Sequence, residues 1–197
     1  MLRLGLTGSI ATGKSTALAA FAAEGVPVFS ADEAVHGLYR GAAAAPVEAL
    51  FPGTVAGGVV DRAALSARLL AEPGRLAELE AVVHPLVRAE MARFLAAAER
   101  SGAELAVIDI PLLFETGFDY GLDAVAVTVC DPAVQRARAL SRPGMSVEKL
   151  QTILARQMPQ EEKRRRATYV IDTNGPVADT QARIRALVAK LRKAGKA

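Results

Sequence analysis

The chain has 197 residues, of which 51% are apolar and 23% are charged, and its formal net charge is +3. This length fits one domain of ordinary to large size, and this apolar content is enough for a buried core. No apolar run approaches the roughly 18 residues that span a bilayer, and no signal-peptide pattern is present. We therefore expect a soluble, cytoplasmic protein without a membrane partner.

The charge is unevenly distributed, because residues 1–130 carry a net charge of −6 and residues 131–197 carry +9. Such a basic region is typical of a nucleic-acid surface, a polyphosphate site or a solvated helix face. Only 5% of the residues are aromatic and none is Trp, so the stacking platforms of single-strand binders are hard to find. We expect no nucleic-acid partner and no obligate protein partner. The single cysteine, Cys130, ends an apolar run and is predicted to be a buried core thiol.

Five segments are predicted to be strands, and helical patterns lie between them. The third and fourth are continuous apolar runs, as expected when helices cover both faces of a parallel sheet. The predicted fold class is therefore α/β, with a five-stranded, parallel, doubly wound sheet. The strands are Leu2–Thr7, Val26–Phe29, Leu105–Asp109, Val125–Val129 and Tyr169–Asp172.

A phosphate-loop pattern, G-x-x-x-x-G-K-[ST], follows the first strand as "GSIATGKST". Gly8 and Gly13 are expected to adopt positive φ, so that backbone N–H groups surround phosphate oxygens. Lys14 would supply charge for the β- and γ-phosphates, and Ser15 would offer a hydroxyl to Mg²⁺. A helix ending near Gly25 is predicted to follow and to direct its N-terminal dipole at the anion. The nucleotide-binding residues are predicted to be Gly8, Ser9, Ile10, Ala11, Thr12, Gly13, Lys14, Ser15 and Thr16.

The second and third strands are separated by about 75 residues, far more than one crossover helix requires. We expect a helical subdomain over residues 35–100. One helix is predicted to begin at the N-cap Asp61, and another to open with Pro85 at its first position and to close on Gly102. The segments "GAAAAP" and "FPGTVAGGVV" are interpreted as loops.

A second irregular region, residues 141–167, is the most basic part of the chain. A solvated helical hairpin would explain its charges, and so would a lid whose arginines neutralise a transferring phosphoryl group. The residues themselves leave both interpretations open. The nucleotide-binding core would then comprise residues 1–34, 101–140 and 168–197. The basic tail is expected to be dispensable over residues 194–197.

A phosphate loop alone defines a class of sites and not a function. The absence of an N/T-K-x-D segment and of a suitable D-x-x-G argues against a GTPase. A kinase for a small acceptor fits the chain length, and a nucleotide-binding regulator that uses ATP as a switch stays open.

Four further segments sharpen the choice: "VFSADE", "HPLV" at 84–87, "VIDIPLLFETG" at 107–117 and "QMPQEEKRRRATYVIDTNG" at 157–175. Together with the phosphate loop, they resemble the dephospho-CoA kinase family in order over nearly the whole chain. The resemblance implies transfer of the ATP γ-phosphoryl group to the ribose 3′-hydroxyl of dephospho-CoA, with Mg²⁺. It also implies a nucleotide-kinase core, a helical acceptor domain over 35–100 and a lid over 141–167. This chain differs from the family at three positions: it has Ser9 and Ala11 where the family commonly has glycines, and Ser30 where the family commonly has an aspartate.

The resemblance also suggests roles for individual residues. Asp32 would orient or deprotonate the ribose hydroxyl, although a helix N-cap is the alternative for an aspartate there. Asp109, at a strand end, is where phosphate-loop enzymes place an acid near Mg²⁺. Arg142 would reach the ATP phosphates as a lid arginine, whereas Arg136 is interpreted as a surface residue. Acceptor contacts are implied for His84, Pro111 and Leu112, and adenine contacts for Asn174 and Gly175.

Overall fold

The computed structural model describes residues 1–194, so all but the first residue of the segment 194–197 lies outside this range. The strands and helices follow in the order β1 (Leu2–Gly8), α1 (Lys14–Ala23), β2 (Val28–Ser30), α2 (Ala31–Leu38), α3 (Ala44–Leu50), β3 (Val55–Ala56), β4 (Val59–Val60), α4 (Arg62–Ala71), a 3₁₀ turn (Pro73–Arg75), α5 (Leu76–Arg100), β5 (Leu105–Asp109), β6 (Ala124–Val129), α6 (Pro132–Leu140), α7 (Val147–Ala155), α8 (Gln160–Arg166), β7 (Tyr169–Asp172) and α9 (Val177–Ala194).

The main sheet has five strands in the order β2-β5-β1-β6-β7. Strand β1 pairs in parallel with β5 and β6, and β6 pairs in parallel with β7. The predicted α/β class with a five-stranded parallel sheet is confirmed, and each strand bound lies within two residues of its prediction. Because the chain leaves β1 first to one side and later to the other, the carboxyl end of β1 is a switch point, where open α/β sheets bind ligands.

The core of the sheet unit lies between the strands and the helix pair α1 and α9. Leu4 and Leu6 of β1 are fully buried against Phe21 of α1 and Ile184 of α9. Helix α1 also faces this core with two small buried residues, Ala17 and Ala20. This packing fixes the start of α1, and with it the end of the phosphate loop.

The chain divides into two compact units. One comprises Met1–Phe29 with the described chain from Ala98 onward, and the other is Ser30–Ala97. The second unit has its own core, which includes Leu38, Val47 and Phe51. The predicted N-cap Asp61 is confirmed, since its carboxylate accepts the N–H groups of Ala63 and Ala64. Residues 141–167 belong to the first unit, and their motion as a lid stays a prediction.

Helix α5 differs from the prediction, because it runs without interruption from Leu76 to Arg100 and Pro85 lies inside it. A proline within a helix costs roughly 3 kcal/mol. Here the residues on both sides contribute to the same apolar cluster, with Leu79 and Val83 before the proline and Leu86 after it. Burial on both sides therefore outweighs the lost backbone hydrogen bond.

The interpretation of "FPGTVAGGVV" as a loop was also wrong. It contains the antiparallel hairpin β3–β4, with Val55 opposite Val60. Gly57 and Gly58 have φ of 58° and 78°, and a two-residue type I′ turn requires positive φ at both positions. Similarly, "GAAAAP" is only partly a loop, since α3 begins at Ala44. Over residues 1–194, no helix has the length and hydropathy needed to cross a membrane.

Candidate active site

The phosphate loop joins β1 to α1 and ends in an open helix terminus. Gly13 is the N-cap of α1 and has φ +83°, as predicted. Among the described residues, no side chain caps this terminus, and the first turn of α1 contains no acidic residue. The first N–H groups of a helix have no partner within it, so this end presents donors and a positive dipole to an anion.

Gly8 is required for a different reason from the one predicted, because its φ is not positive. A Cβ atom at Gly8 would lie 2.1 Å from Thr128 Oγ1 and 2.6 Å from Thr12 Oγ1. The end of β1 therefore has no room for a side chain. Gly8 allows close packing, whereas Gly13 provides the left-handed conformation.

Three buried threonines hold the underside of the loop. The Thr12 and Thr128 hydroxyls are 2.8 Å apart, and Thr12 Oγ1 is also 2.8 Å from the Ser9 carbonyl oxygen. Thr173, which follows β7, donates its hydroxyl to the Thr12 carbonyl at 2.8 Å. Sequence analysis missed Thr128 and Thr173, because a single threonine at a strand end forms no recognisable pattern.

Ala11 occupies a left-handed conformation with φ +61°, and it is the one non-glycine residue of positive φ among residues 1–194. This conformation costs an L-residue roughly 1–2 kcal/mol. Its methyl group is buried with Ala139 of α6 and Leu150 of α7. Ala11 thus adopts a conformation that favours glycine, and packing against these two helices offsets part of the strain.

Two glutamines fix the backbone of Ile10. Gln157 accepts the Ile10 N–H at 3.0 Å, and Gln135 donates to the Ile10 carbonyl oxygen at 2.8 Å. Gln160 donates in turn to Gln135 Oε1 at 3.2 Å. The region 141–167 therefore reaches the phosphate loop through Gln157. No local sequence pattern indicates these amides.

Lys14 and Asp109 meet at the carboxyl edge of the sheet. Asp109 ends β5, pairs in register with Leu6 of β1, and forms an ion pair with Lys14. Their side chains are only 15% and 5% exposed. Ser15 lies in the first turn of α1 and is exposed. The structure thus brings the predicted lysine and the predicted acid to the same edge.

A metal ion would have to bind here with few protein ligands. Within residues 1–194 there is no cluster of three or more His, Cys, Asp or Glu side chains that could hold a metal. Mg²⁺ in nucleotide sites usually keeps several waters and takes one or two protein oxygens beside the phosphates. The Ser15 hydroxyl and the Asp109 carboxylate are oxygen donors of that kind, so the residues present fit this ion.

A cavity of about 480 Å³ adjoins the loop at Ser9. Ligand pockets commonly have volumes of 300–1,000 Å³, so a nucleotide base fits here. Asp131, Leu154, Gln157 and Asn174 are among its other lining residues. Sequence analysis predicted only Ser9 and Asn174 of this set.

Asn174 and Gly175 form a fixed turn after β7. Asn174 Oδ1 accepts the Asp131 N–H at 2.7 Å, and the Asn174 N–H donates to Asp172 Oδ1 at 2.8 Å. A Cβ atom at Gly175 would lie 2.5 Å from Asp179 Oδ2.

Cys130 lines the cavity beside Ser9 and is buried, as predicted. Burial raises the pKa of its thiol.

The arginines around α6 have different roles. Arg142 lies in the turn after α6 and is exposed, and its guanidinium has no hydrogen-bond or ion-pair partner in the described part of the chain. Arg136 is exposed as well. Arg138, which sequence analysis did not consider, donates to the carbonyl and hydroxyl oxygens of Thr173 at 2.7 and 3.2 Å. Arg138 therefore supports the loop, whereas Arg142 is available to a ligand.

The predicted acceptor residues lie in both units. Pro111 follows β5, and its carbonyl oxygen accepts the Thr7 hydroxyl at 3.1 Å. Leu112, next to it, is 41% exposed. In the Ser30–Ala97 unit, His84 is an exposed residue of α5.

Asp32 lies in the first turn of α2 but does not cap it. The N-cap is Ser30, whose Oγ accepts the Glu33 N–H at 3.3 Å. The N-cap interpretation of Asp32 was therefore wrong, because the preceding serine takes that position. The Asp32 carboxylate can still interact favourably with the helix dipole.

Comparisons with known proteins identify the family. Residues 2–179 match the model of the dephospho-CoA kinase family. A curated dephospho-CoA kinase from Rhizobium meliloti is 55% identical over 192 residues, which cover 98% of this chain and 99% of the relative. One from Rhodopseudomonas palustris is 53% identical over 96% of both chains.

Solved structures are similar over the same length. A crystal structure of TT1252 from Thermus thermophilus has a TM-score of 0.82 at 36% identity and covers 96% of this chain and 97% of its own. The dephospho-CoA kinase from Campylobacter jejuni has a TM-score of 0.69 at 22% identity, with 96% of each chain covered, which supports the fold. The chain belongs to the dephospho-CoA kinase family.

Proposed function

We propose that this chain transfers the γ-phosphoryl group of ATP to the ribose 3′-hydroxyl of dephospho-CoA. The observation that carries the proposal is the open N-terminus of α1, with Lys14 and Asp109 at the same sheet edge and the 480 Å³ cavity beside Ser9. The relatives that match over nearly the whole chain are named dephospho-CoA kinases.

The nucleotide would bind with its phosphates at the loop and its base in the cavity. The N–H groups at the start of α1 donate to phosphate oxygens, and Lys14 exchanges the single Asp109 carboxylate for the more highly charged β- and γ-phosphates. Asn174 and Gly175 contact adenine through their backbone. Mg²⁺, when bound with ATP, offsets the charge of these phosphates, with Ser15 and Asp109 as its protein-side oxygens.

The acceptor would bind through His84, Pro111 and Leu112, and Asp32 would act on its hydroxyl. The ribose 3′-oxygen attacks the γ-phosphorus, and the bond from that phosphorus to the β–γ bridging oxygen breaks, so that ADP leaves. Asp32 orients the hydroxyl or accepts its proton. Arg142 approaches the phosphates and stabilises the charge on the leaving group.

The test is an ATP-consumption assay on the purified chain, with dephospho-CoA, with nucleoside monophosphates and with no acceptor. We expect strong turnover with dephospho-CoA alone and a product phosphorylated at the ribose 3′ position. Turnover only with a monophosphate would indicate a nucleotide kinase. ATP binding without acceptor-stimulated turnover would indicate a regulator. The purified chain should be active by itself, because we propose a cytoplasmic enzyme that needs no protein or nucleic-acid partner.

A further inference from the structure

A partly buried carboxylate contacts the basic region 141–167 at two residues. Glu115 lies in the loop that follows Asp109, and its side chain is 16% exposed. Its Oε1 accepts the Met158 N–H at 2.8 Å and lies 2.9 Å from Lys163 Nζ. Lys163 belongs to α8 and is completely buried.

This ion pair is incompletely satisfied. Glu115 Oε2 is buried without a hydrogen-bond partner in the described chain, and the Lys163 ammonium is buried with Glu115 as its ion-pair partner there. Burial of two charges carries a desolvation cost that their attraction often fails to exceed, and an apolar pair of similar volume is commonly as stable. Stability alone is therefore a weak reason for a charged pair at this position.

The Glu115 carboxylate is ionised at neutral pH. Burial raises its pKa, but the adjacent Lys163 ammonium and the hydrogen bond from the Met158 N–H outweigh burial and bring the pKa below the ordinary value. The oxygen that accepts the Met158 N–H therefore carries negative charge. Hydrogen bonds to charged acceptors are stronger than those between neutral groups.

The contact from Glu115 continues to the phosphate loop. Met158 follows Gln157, whose Oε1 accepts the Ile10 N–H at 3.0 Å. Fixing the backbone of Met158 therefore limits where the Gln157 side chain can reach. Ile10 precedes Ala11, whose positive φ is strained and persists only when its surroundings determine it.

We propose that Glu115 is a positioning residue that acts through Met158 and Gln157 to hold the phosphate loop in its nucleotide-binding shape. It joins the loop after Asp109, the region 141–167 and the phosphate loop in one hydrogen-bonded chain. This role rests on the ATP site proposed above and concerns ATP binding alone. It can be measured without an acceptor, so its failure would leave the proposal of dephospho-CoA as the acceptor unaffected.

The experiment compares two double variants that both remove the buried charges. In E115Q/K163M, the amide oxygen still accepts the Met158 N–H, whereas E115M/K163M has no acceptor. We expect both to melt near the wild-type temperature. The Kd for ATP, measured by calorimetry without acceptor, should rise about five- to tenfold in E115M/K163M and about two- to threefold in E115Q/K163M, whose neutral oxygen is the weaker acceptor. Equal ATP affinity in the two folded variants would overturn the proposal.

Gln157→Leu tests the last step without disturbing the ion pair. Alone, it should raise the Kd for ATP about five- to tenfold. Added to E115M/K163M, it should change the Kd by less than about twofold, because both act through one contact. Wild-type affinity in the single variant, or full additivity in the combination, would contradict the proposal. Because Gln157 also lines the cavity beside Ser9, the single variant alone does not test Glu115, and E115A/K163M replaces E115M/K163M if the latter does not fold.

Discussion

Helices α1 and α2 each begin close to the carboxyl end of a sheet strand, yet their first turns are built in opposite ways. Helix α1 starts with Lys14 after a glycine, without a side-chain cap or an acid in its first turn as far as the described residues extend. Helix α2 starts after Ser30, whose hydroxyl caps it, and Asp32 and Glu33 lie in its first turn.

The difference distinguishes a helix end that needs a ligand from one that does not. A lysine at a helix N-terminus opposes the helix dipole, whereas carboxylates there are favourable by about 0.3–1 kcal/mol each. The start of α1 is therefore electrostatically incomplete until an anion binds. The start of α2 is complete by itself, so the presence of Asp32 needs no catalytic explanation, and a catalytic role must appear in the rate.

The largest effect is expected for Lys14→Met, which removes the cation from the incomplete helix end. We expect phosphoryl transfer to fall roughly 10³-fold, because a preorganised charge at the transferring group is lost. Since Asp109 is buried and loses its ion pair, the melting temperature should fall too. The control K14M/D109N removes both charges and should regain stability while staying inactive. Near-normal activity of Lys14→Met would contradict the phosphate-loop assignment.

A smaller effect is expected for Asp32→Asn, which tests whether Asp32 takes part in phosphoryl transfer or only stabilises the start of α2. General-base help is typically worth about 10²–10⁴ in rate, and a dissociative transition state favours the low end, so we expect about 10². ATP affinity and melting temperature should change little. The measurement is single-turnover transfer at saturating substrates.

The matched control for Asp32→Asn is Ser30→Ala, which removes the observed cap. It should lower the stability by about 1 kcal/mol and leave the rate nearly unchanged. If Asp32→Asn instead behaves like Ser30→Ala, with lost stability and a normal rate, Asp32 is only part of the helix terminus.

Arg142→Ala tests whether a second cation, besides Lys14, stabilises the phosphates of ATP during transfer. We expect kcat to fall roughly 10- to 50-fold, less than for a buried donor because Arg142 is exposed to solvent. The KM for dephospho-CoA should change much less, because the charge matters most in the transition state. Arg136→Ala on α6 is the matched control and should be silent. Equal activity of both variants would make Arg142 a surface residue.

The smallest effect is expected for Ala11→Gly, in the turn that leads to α1. Glycine removes the left-handed strain but increases the entropy of the unfolded chain and loses a buried methyl group. We expect a net gain of at most about 1 kcal/mol in thermal or urea unfolding. Ala19→Gly, at an exposed position inside α1, should cost about 0.5–1 kcal/mol. Losses of the same size at both positions would show that Ala11 is not strained.

Local sequence patterns were sufficient to predict those features of the fold and of the site that consist of contiguous residues. The phosphate loop, the five strands and the position of Asp109 at a strand end were all predictable. The hairpin at Gly57 and Gly58 was also predictable, because two glycines between the apolar pairs Val55-Ala56 and Val59-Val60 form a known turn signature.

Other features depend on partners distant in sequence. Pro85 continues a helix because burial on both sides of it outweighs its local cost. Gln157 accepts the N–H of Ile10, which is 147 residues away in sequence. Lys163 lies in a segment whose sequence is typical of a solvated basic face, yet it is buried and pairs with Glu115. No local periodicity indicates such contacts, because they exist only once the sheet has brought the loops together.

The burial of Cys130 has a practical consequence for chemical labelling. It is the single cysteine of the chain, and because its pKa is raised, little of the reactive thiolate is present at neutral pH. A cysteine introduced on the surface should therefore take up a maleimide dye first, without removal of the native thiol. Cys130 also lines the cavity beside the phosphate loop, so its slow alkylation reports local opening of that cavity, and bound ATP should slow it further.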